Sequence, residues 1–448
     1  MSHSTTASAM QPNDTSVAAV ARRARKASMA LAKLSGDVRV EVLMAAAQAI
    51  EEARQRILDA NERDCRVAEE AVVSGKLTSA MLARLRVTEA GIAQMAAHVR
   101  EVARLQDPLG RRLAATELDD GLELYKESCP FGVVGVIFES RPDVIPQIAS
   151  LCLKSGNAVI LKGGSEAAET NQELVAIWRE CVIRFQGVPV DSISLLQSRG
   201  DVLELLTLDR DLDLIVPRGS YEMVKYIMEH TNIPVLGHGE GICHVYVDRA
   251  ADVKKAVDII YDAKVENPAV CNAAETLLVD EAIAGDFLPP AVRKLKAAGV
   301  EIRGDAKTIS LFPGVHIPPA GEKDWSTEYS DLILSVKVVA NLDEAIEHIN
   351  TYGSRHTDVI VTEDPEAAAK FMNDVDSAGV YQNASTRFAD GFRYGFGAEL
   401  GISNGKFHAR GPMGLEGLTT YKYKLYGHGH TVAAYSEGER KFTHRRLQ

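Results

Sequence analysis

Gly132-Val-Val-Gly-Val-Ile-Phe138 runs without a charge between Pro130 and the turn formers Glu139-Ser-Arg-Pro142. A run this short and rich in β-branched residues reads as a strand buried on both faces. Such strands lie in parallel sheets whose faces are covered by helices. The chain downstream alternates accordingly: helix 142–155, strand Ala158-Val-Ile-Leu-Lys162, helix 166–185, strand Ser192-Ile-Ser-Leu-Leu196, a short helix and strand Leu212-Asp-Leu-Ile-Val216. A second series runs through strand 276–279, helix 281–298, strand 333–339, helix 342–352, strand 359–362, helix 365–375 and strand 380–382. Two such series predict an α/β fold of two doubly wound domains, with the cleft between them as the expected active site. Upstream, Leu122-Glu-Leu-Tyr-Lys-Glu-Ser-Cys129 alternates like a half-solvated strand, and helical periodicity covers roughly 38–63 and 89–105.

The chain has 448 residues, 46% hydrophobic and 25% charged, enough for two or three domains with large cores. A net charge of −12 argues against nucleic acid or an anionic membrane surface as the main partner, so the expectation is a protein acting on small molecules. Six cysteines, at 65, 129, 152, 181, 243 and 271, are scattered without C-x-x-C pairs, which suits a reducing compartment. No apolar run approaches the roughly 18 residues that span a bilayer, and no hydrophobic signal region opens the chain; the cytoplasm is the expected location. Residues 1–16 are polar and aperiodic and read as a disordered tail.

Glu266-Asn-Pro-Ala-Val-Cys-Asn-Ala-Ala-Glu-Thr276 presents Cys271 among small residues, after a proline-broken turn and before an apolar run. A thiolate is strongly nucleophilic, and small neighbours leave room for a substrate. Taken alone, a lone cysteine is more often a buried structural residue. Two other motifs are set aside. His238-Gly-Glu-Gly-Ile-Cys-His244 carries only half of a zinc deaminase signature, and no metal is expected. Gly401-Ile-Ser-Asn-Gly-Lys406 is one residue short of a phosphate loop, with Phe407 where a hydroxyl should hold magnesium.

No G-x-G-x-x-G follows any strand. Even so, from about residue 17 onward the chain resembles the aldehyde dehydrogenase superfamily, which binds nicotinamide cofactors without that fingerprint. The stretches that carry the resemblance are Val133-Val-Gly-Val-Ile-Phe138, Gly156-Asn-Ala-Val-Ile-Leu-Lys162, Pro217-Arg-Gly-Ser220, the Cys271 stretch, Trp325-Ser-Thr-Glu-Tyr-Ser-Asp331 and Tyr352-Gly-Ser-Arg-His356, in the family's order. Phe138-Glu-Ser-Arg-Pro-Asp143, Gly237–His244, Tyr381-Gln-Asn-Ala-Ser-Thr-Arg-Phe-Ala-Asp390 and Gly395–Ser403 resemble one branch of it, the reductases that act on γ-glutamyl phosphate.

The resemblance implies an oxidoreductase of proline biosynthesis that reduces L-glutamyl 5-phosphate with NADPH to L-glutamate 5-semialdehyde and phosphate, through a thioester on Cys271. An NAD(P)-dependent enzyme oxidising a small aldehyde to a free acid is the alternative; a non-enzymatic scaffold is the more distant rival, and the presence of Cys271 argues against it. By position, Lys162, Gly163, Gly164, Ser165, Pro217, Arg218, Gly219, Ser220 and Glu328 are implied to bind NADPH. Arg141, Asn383, Ser385 and Arg387 are implied to grip the substrate's phosphate and α-carboxylate, anions that suit a guanidinium fork. The Cys271 N–H would donate to the oxyanion. The side-chain donor is unassigned, because Ser140 and Arg141 stand where ordinary aldehyde dehydrogenases have an asparagine. The implied domains are an NADPH-binding domain (17–117 and 136–240), a catalytic domain (241–420) and an oligomerisation arm (118–135 and 421–448) whose edge needs a second copy. Functional coupling to glutamate 5-kinase, the maker of the labile acyl phosphate, is the further partner suggested.

Acid-forming aldehyde dehydrogenases carry a glutamate base upstream of the cysteine. Aligning Val245-Tyr-Val-Asp248 with the strand that follows that glutamate puts Gly237 in its place, 271 − 237 = 34 residues before Cys271, with Glu240 three residues off. Losing a positioned base slows proton-coupled attack by about 10² to 10⁴-fold, so the thioester should resist water and yield to phosphate. Enzyme given glutamate semialdehyde and NADP without phosphate is expected to stop after about one equivalent of NADPH per site. Steady production of free glutamate would show that Glu240 or another group serves as the base.

Overall fold

The computed structural model describes residues 14–198, 200–237 and 239–447; the expected tail lies outside them up to residue 13, as does His238. The chain forms two compact units. One runs up to Val235 and adds Phe396–Leu400 and the chain from Gly414; the other comprises Leu236–Gly395 and Gly401–Met413.

The first unit opens with five helices: α1 (Val17–Leu31), α2 (Gly36–Glu52), α3 (Arg54–Val73), α4 (Ser79–Leu85) and α5 (Glu89–Arg104). Ser16, Ser35, Thr78 and Thr88 start α1, α2, α4 and α5, each accepting a backbone N–H that the helix cannot satisfy itself. The helix expected over 38–63 breaks at Ala53, whose ψ of 13° ends α2 and begins α3 with neither glycine nor proline to mark the site. There follow β1 (Arg112–Asp119), β2 (Leu122–Pro130), β3 (Val133–Phe138), α6 (Val144–Lys154), β4 (Ala158–Lys162), α7 (Ala168–Val182), β5 (Ile193–Leu196), α8 (Gly200–Leu205), β6 (Leu214–Arg218) and α9 (Tyr221–Glu229).

All six residues of β3 are buried, and it pairs in parallel with β4 on one side and β6 on the other. The order β5-β4-β3-β6 reverses direction at β3, so the crevice between the loops after β3 and β6 is the sheet's switch point. Strand β6 sits two residues later than expected and ends in Pro217-Arg218. An edge strand tolerates the proline, which has no N–H to offer a ladder. A separate antiparallel sheet orders Thr419–Tyr426, β2, β1 and Arg445–Arg446. Its pairing begins at Arg112 rather than 118, since the Ala-rich Arg112–Asp119 carries little alternation in sequence.

The second unit contains β7 (Cys243–Val247), α10 (Val253–Val265), β8 (Ala274–Asp280), α11 (Ala284–Ala297), β9 (Glu301–Gly304), α12 (Ala306–Ser310), β10 (Ile333–Val339), α13 (Leu342–Tyr352), β11 (Thr357–Val361), α14 (Pro365–Asp374) and β12 (Gly379–Gln382). The strands form one parallel sheet in the order β12-β11-β7-β8-β10-β9. Ile260, Phe287, Leu288 and Leu295 pack on one face, and Ile346, Ile349, Phe371 and Val375 on the other. This is the doubly wound pattern expected, with β9 and α12 added where Glu301-Ile-Arg-Gly304 is too short and charged to read as a strand. No described helix is long and apolar enough to cross a membrane.

Candidate active site

In the second unit the turn between α10 and β8 carries Cys271, partly exposed, where Cys152, Cys181 and Cys243 are buried. Proline and the small residues of Pro268–Ala273 prevent α10 from continuing, and an Ala273 N–H to Val270 carbonyl bond of 2.9 Å closes the turn. Gly241 lies directly against it. A Cβ built there would sit 2.0 Å from the Cys271 carbonyl oxygen and 2.6 Å from its Cα, which are backbone atoms that cannot swing aside. Only glycine fits.

The neighbours of Gly241 hold that approach. Its N–H donates to Glu328 Oε2 at 2.8 Å, and the Ile242 N–H donates to Ser354 Oγ at 2.8 Å. The Cys243 thiol donates to the Cys271 carbonyl at 3.4 Å and also lies 3.6 Å from His356 Nδ1. Burial, reinforced by the Asp358 charge, pushes the Cys243 thiol well above its ordinary value. It therefore stays protonated, serving as a donor. Cys243, one of six scattered cysteines, is thus tied to the Cys271 main chain. The motifs Trp325–Asp331 and Tyr352–His356 meet here because both supply anchors to the segment entering β7. His244, the residue of the abandoned zinc motif, is buried with Nδ1 2.9 Å from Asp358.

The segment after β12 reaches the same turn. Asn272 Nδ2 donates to the Ala389 carbonyl at 2.9 Å, and Arg387 places Nε and Nη2 each 2.7 Å from Glu266 Oε2. Ser385 caps the short helical turn of Thr386–Phe388 by accepting the Arg387 N–H. Asn383, at a φ of 52°, spends its amide on both backbone groups of Thr362. Of the three substrate candidates in this segment, Ser385 and Arg387 are therefore bound up with the Cys271 turn, and Asn383 with the end of β11.

In the first unit the remaining candidates gather at the carboxyl ends of the strands. Lys162 closes β4, nine-tenths buried, with Nζ 2.5 Å from the Gly163 carbonyl. Gly163 has no space for a Cβ, which would fall 2.2 Å from Asn171 Nδ2. Gly164 and Ser165 lead into a short turn whose Glu166 accepts from Ser140 N at 2.7 Å and from its Oγ at 2.5 Å. Across the switch point, Pro217 and Arg218 end β6, and Arg218 Nη1 donates to the Leu400 carbonyl at 2.8 Å. Ser220 caps α9, and its own N–H donates to Glu139 Oε2 at 3.1 Å. Gly219 is confined by that carboxylate and by Met223. Arg141 is half exposed, with Asp143 3.6 Å away. A buried ammonium, a glycine that admits close approach and a capped helix start suit the ribose and phosphate groups of a dinucleotide. Glu139 must turn aside before a phosphate oxygen can take the Ser220 N–H.

Both units have the aldehyde dehydrogenase build, and the sequence model of the aldehyde dehydrogenase family matches residues 1–310. The γ-glutamyl phosphate reductase of Pelotomaculum thermopropionicum is 53% identical over 428 residues, 96% of this chain and 97% of its own. That of Natronomonas pharaonis is 53% identical over 422 residues, 94% of this chain and 95% of its own. The crystal structure of γ-glutamyl phosphate reductase from Thermotoga maritima, 41% identical, matches with a TM-score of 0.89 over 93% of this chain and 99% of that one. The chain belongs to the γ-glutamyl phosphate reductases, a branch of the aldehyde dehydrogenase family.

Gly241→Ala tests the contact at Cys271. The added methyl must push the turn away, at about 1–3 kcal/mol of stability, and a displacement near 1 Å costs about 10²-fold in rate. Slower alkylation of Cys271 by iodoacetamide in a folded protein is the expected result; a native rate shows that the turn accommodates the methyl.

Proposed function

We propose that this enzyme reduces L-glutamyl 5-phosphate to L-glutamate 5-semialdehyde and phosphate with NADPH, as the second step of proline biosynthesis from glutamate. The observation that carries the reading is likeness to γ-glutamyl phosphate reductases at half identity over nearly the whole chain. In the proposed mechanism the Cys271 thiolate attacks the acyl carbonyl, and the Cys271 N–H donates to the oxyanion. Phosphate leaves with the electron pair of the acyl C–O bond of the mixed anhydride, and a thioester remains on Cys271. When bound, NADPH supplies the hydride that reduces the thioester carbonyl. The sulfur is then expelled as thiolate and the aldehyde is released.

Roles on the substrate follow from what each side chain has left to offer. Arg141 is exposed and only loosely engaged by Asp143, so its fork suits the phosphate. Arg387 shares its charge with Glu266 and holds the Ser385 turn in shape, and the Ser385 hydroxyl keeps a proton to donate to the α-carboxylate. Asn383 shapes the segment through Thr362. For the cofactor, Lys162 favours the 2′-phosphate of NADPH over NADH, and Glu328 receives the nicotinamide ribose. A homo-oligomer is supported by the edge strand Thr419–Tyr426, which leaves Tyr421, Tyr423, Leu425 and Tyr426 about half exposed for a second copy to cover. The same reading puts the enzyme in the cytoplasm and leaves direct transfer from glutamate 5-kinase as a separate property to be assayed.

The test is phosphate-dependent reduction of NADP with glutamate semialdehyde. Cys271→Ser should bind NADPH and lose essentially all turnover; persisting activity would remove the thioester from the mechanism. Lys162→Ala should erode a native preference for NADPH over NADH, and equal native kcat/KM for the two cofactors would refute the assignment. Glu139→Gln keeps an acceptor for the Ser220 N–H while removing a charge that opposes a phosphate, so the Kd for NADPH should fall about threefold or more at low salt. An unchanged Kd in a fluorescence titration would place the pyrophosphate elsewhere.

A further inference from the structure

The loop that carries Cys271 is bridged at its base by a buried ion pair. Lys264, in the last turn of α10, lies just before the loop, and Glu275, at the start of β8, lies just after it. Nζ and Oε2 are 2.6 Å apart, and both side chains are wholly shielded from solvent. A pair so placed ties the two ends of the loop to each other. Its second connection runs to the segment that leads into β10: Glu275 Oε1 accepts the N–H of Ser330 at 3.2 Å, which helps hold that residue at a φ of 51°. Two residues earlier stands Glu328, which accepts the N–H of Gly241, and Gly241 presses on the Cys271 main chain. The contacts form a closed circuit from Lys264 through Glu275, Ser330, Glu328 and Gly241 to Cys271, whose loop begins again beside Lys264.

We propose that Lys264 and Glu275 are positioning residues for the reaction, fixing the Cys271 loop against the turn that carries Glu328. Neither touches a reacting atom. What they set is the relation between the sulfur and the glutamate that faces the cofactor. A simple filler of this space would be apolar, because two charges removed from water must recover their hydration from each other, and well-packed apolar residues often do as well or better for stability. The charges are retained with a geometric demand that apolar side chains lack: one carboxylate holding a lysine and a backbone amide at fixed angles. Burial pushes Glu275 up to about 7 against the pull of Lys264, and it pushes Lys264 down, with Glu275, Asp331 and Cys243 opposing. Lys264, the Ser330 amide, the Glu328 charge and the Cys243 thiol all interact with Glu275.

The inference rests on Cys271 as nucleophile and Glu328 as cofactor partner, so its test uses readouts that need no substrate beside one that does. In Lys264→Met/Glu275→Leu both charges are removed together and none is left unpaired. Thermal unfolding, alkylation of Cys271 by iodoacetamide and NADPH binding are followed with phosphate-dependent NADP reduction. The double variant is expected to melt at or above the native temperature, to alkylate about tenfold more slowly and to lose about 10²-fold in kcat, with the KM for phosphate unchanged. Native alkylation and native kcat in the folded double variant would overturn the proposal. Should that variant not fold, Glu275→Gln, which keeps an acceptor for Ser330, decides: a tenfold lower kcat at native KM for phosphate supports the proposal, and a native kcat overturns it. Absence of phosphate-dependent reduction in the unaltered enzyme would refute the substrate reading alone, since alkylation and NADPH binding still report on the loop.

Discussion

The structure of the second unit depends on one steric fact, that nothing larger than hydrogen fits between Gly241 and the main chain of Cys271. Two backbones this close leave no side chain to mediate, so every group that sets the position of Gly241 also sets that of the sulfur. Glu328 acts on the Gly241 amide, Ser354 on the amide of Ile242, and Cys243 on the Cys271 carbonyl itself. Side chains from the approaches to β7, β10 and β11 thereby converge on a turn that belongs to none of those strands. A loose surface turn becomes a fixed one, as a near-attack geometry requires.

The same constraint explains what could be read in advance. The fold followed from periodicity because buried parallel strands such as Val133–Phe138 and Ala158–Leu161 are uninterrupted apolar runs, and hydrophobic burial is local in sequence. Cys271 was singled out by family resemblance, since its setting alone favours a structural cysteine, and the structure adds that it is partly exposed. Gly241 was not singled out, although it stands in a quoted motif, because its role depends on an approach by a residue thirty positions away in the chain. Arg387 and Asn383 were named for the chemistry of their side chains, and the structure adds partners that the sequence does not show, Glu266 for Arg387 and Thr362 for Asn383. A side chain's type is visible in sequence; whether its hydrogen bonds are already spent is not.

Where the sequence pattern failed in the fold, the cause was equally physical. The break at Ala53 lacks glycine or proline, so no local propensity marks it. The strand Arg112–Asp119 is half exposed and Ala-rich, and it is a strand because β2 and Arg445–Arg446 flank it, a long-range pairing that outweighs a weak local preference.

The direction of α10 adds a last constraint on the Cys271 turn. Reactive cysteines are commonly activated at the N-terminus of a helix, where the dipole is positive. Cys271 instead lies 271 − 265 = 6 residues beyond the end of α10, outside the single turn over which a helix end acts, so the dipole of α10 gives it no such help. Lys264 in the last turn of α10 is itself paired with Glu275, so its charge is spent at the base of the loop. The set of the turn, fixed by Gly241 and by the groups that hold Gly241, is therefore what this unit controls most directly at Cys271.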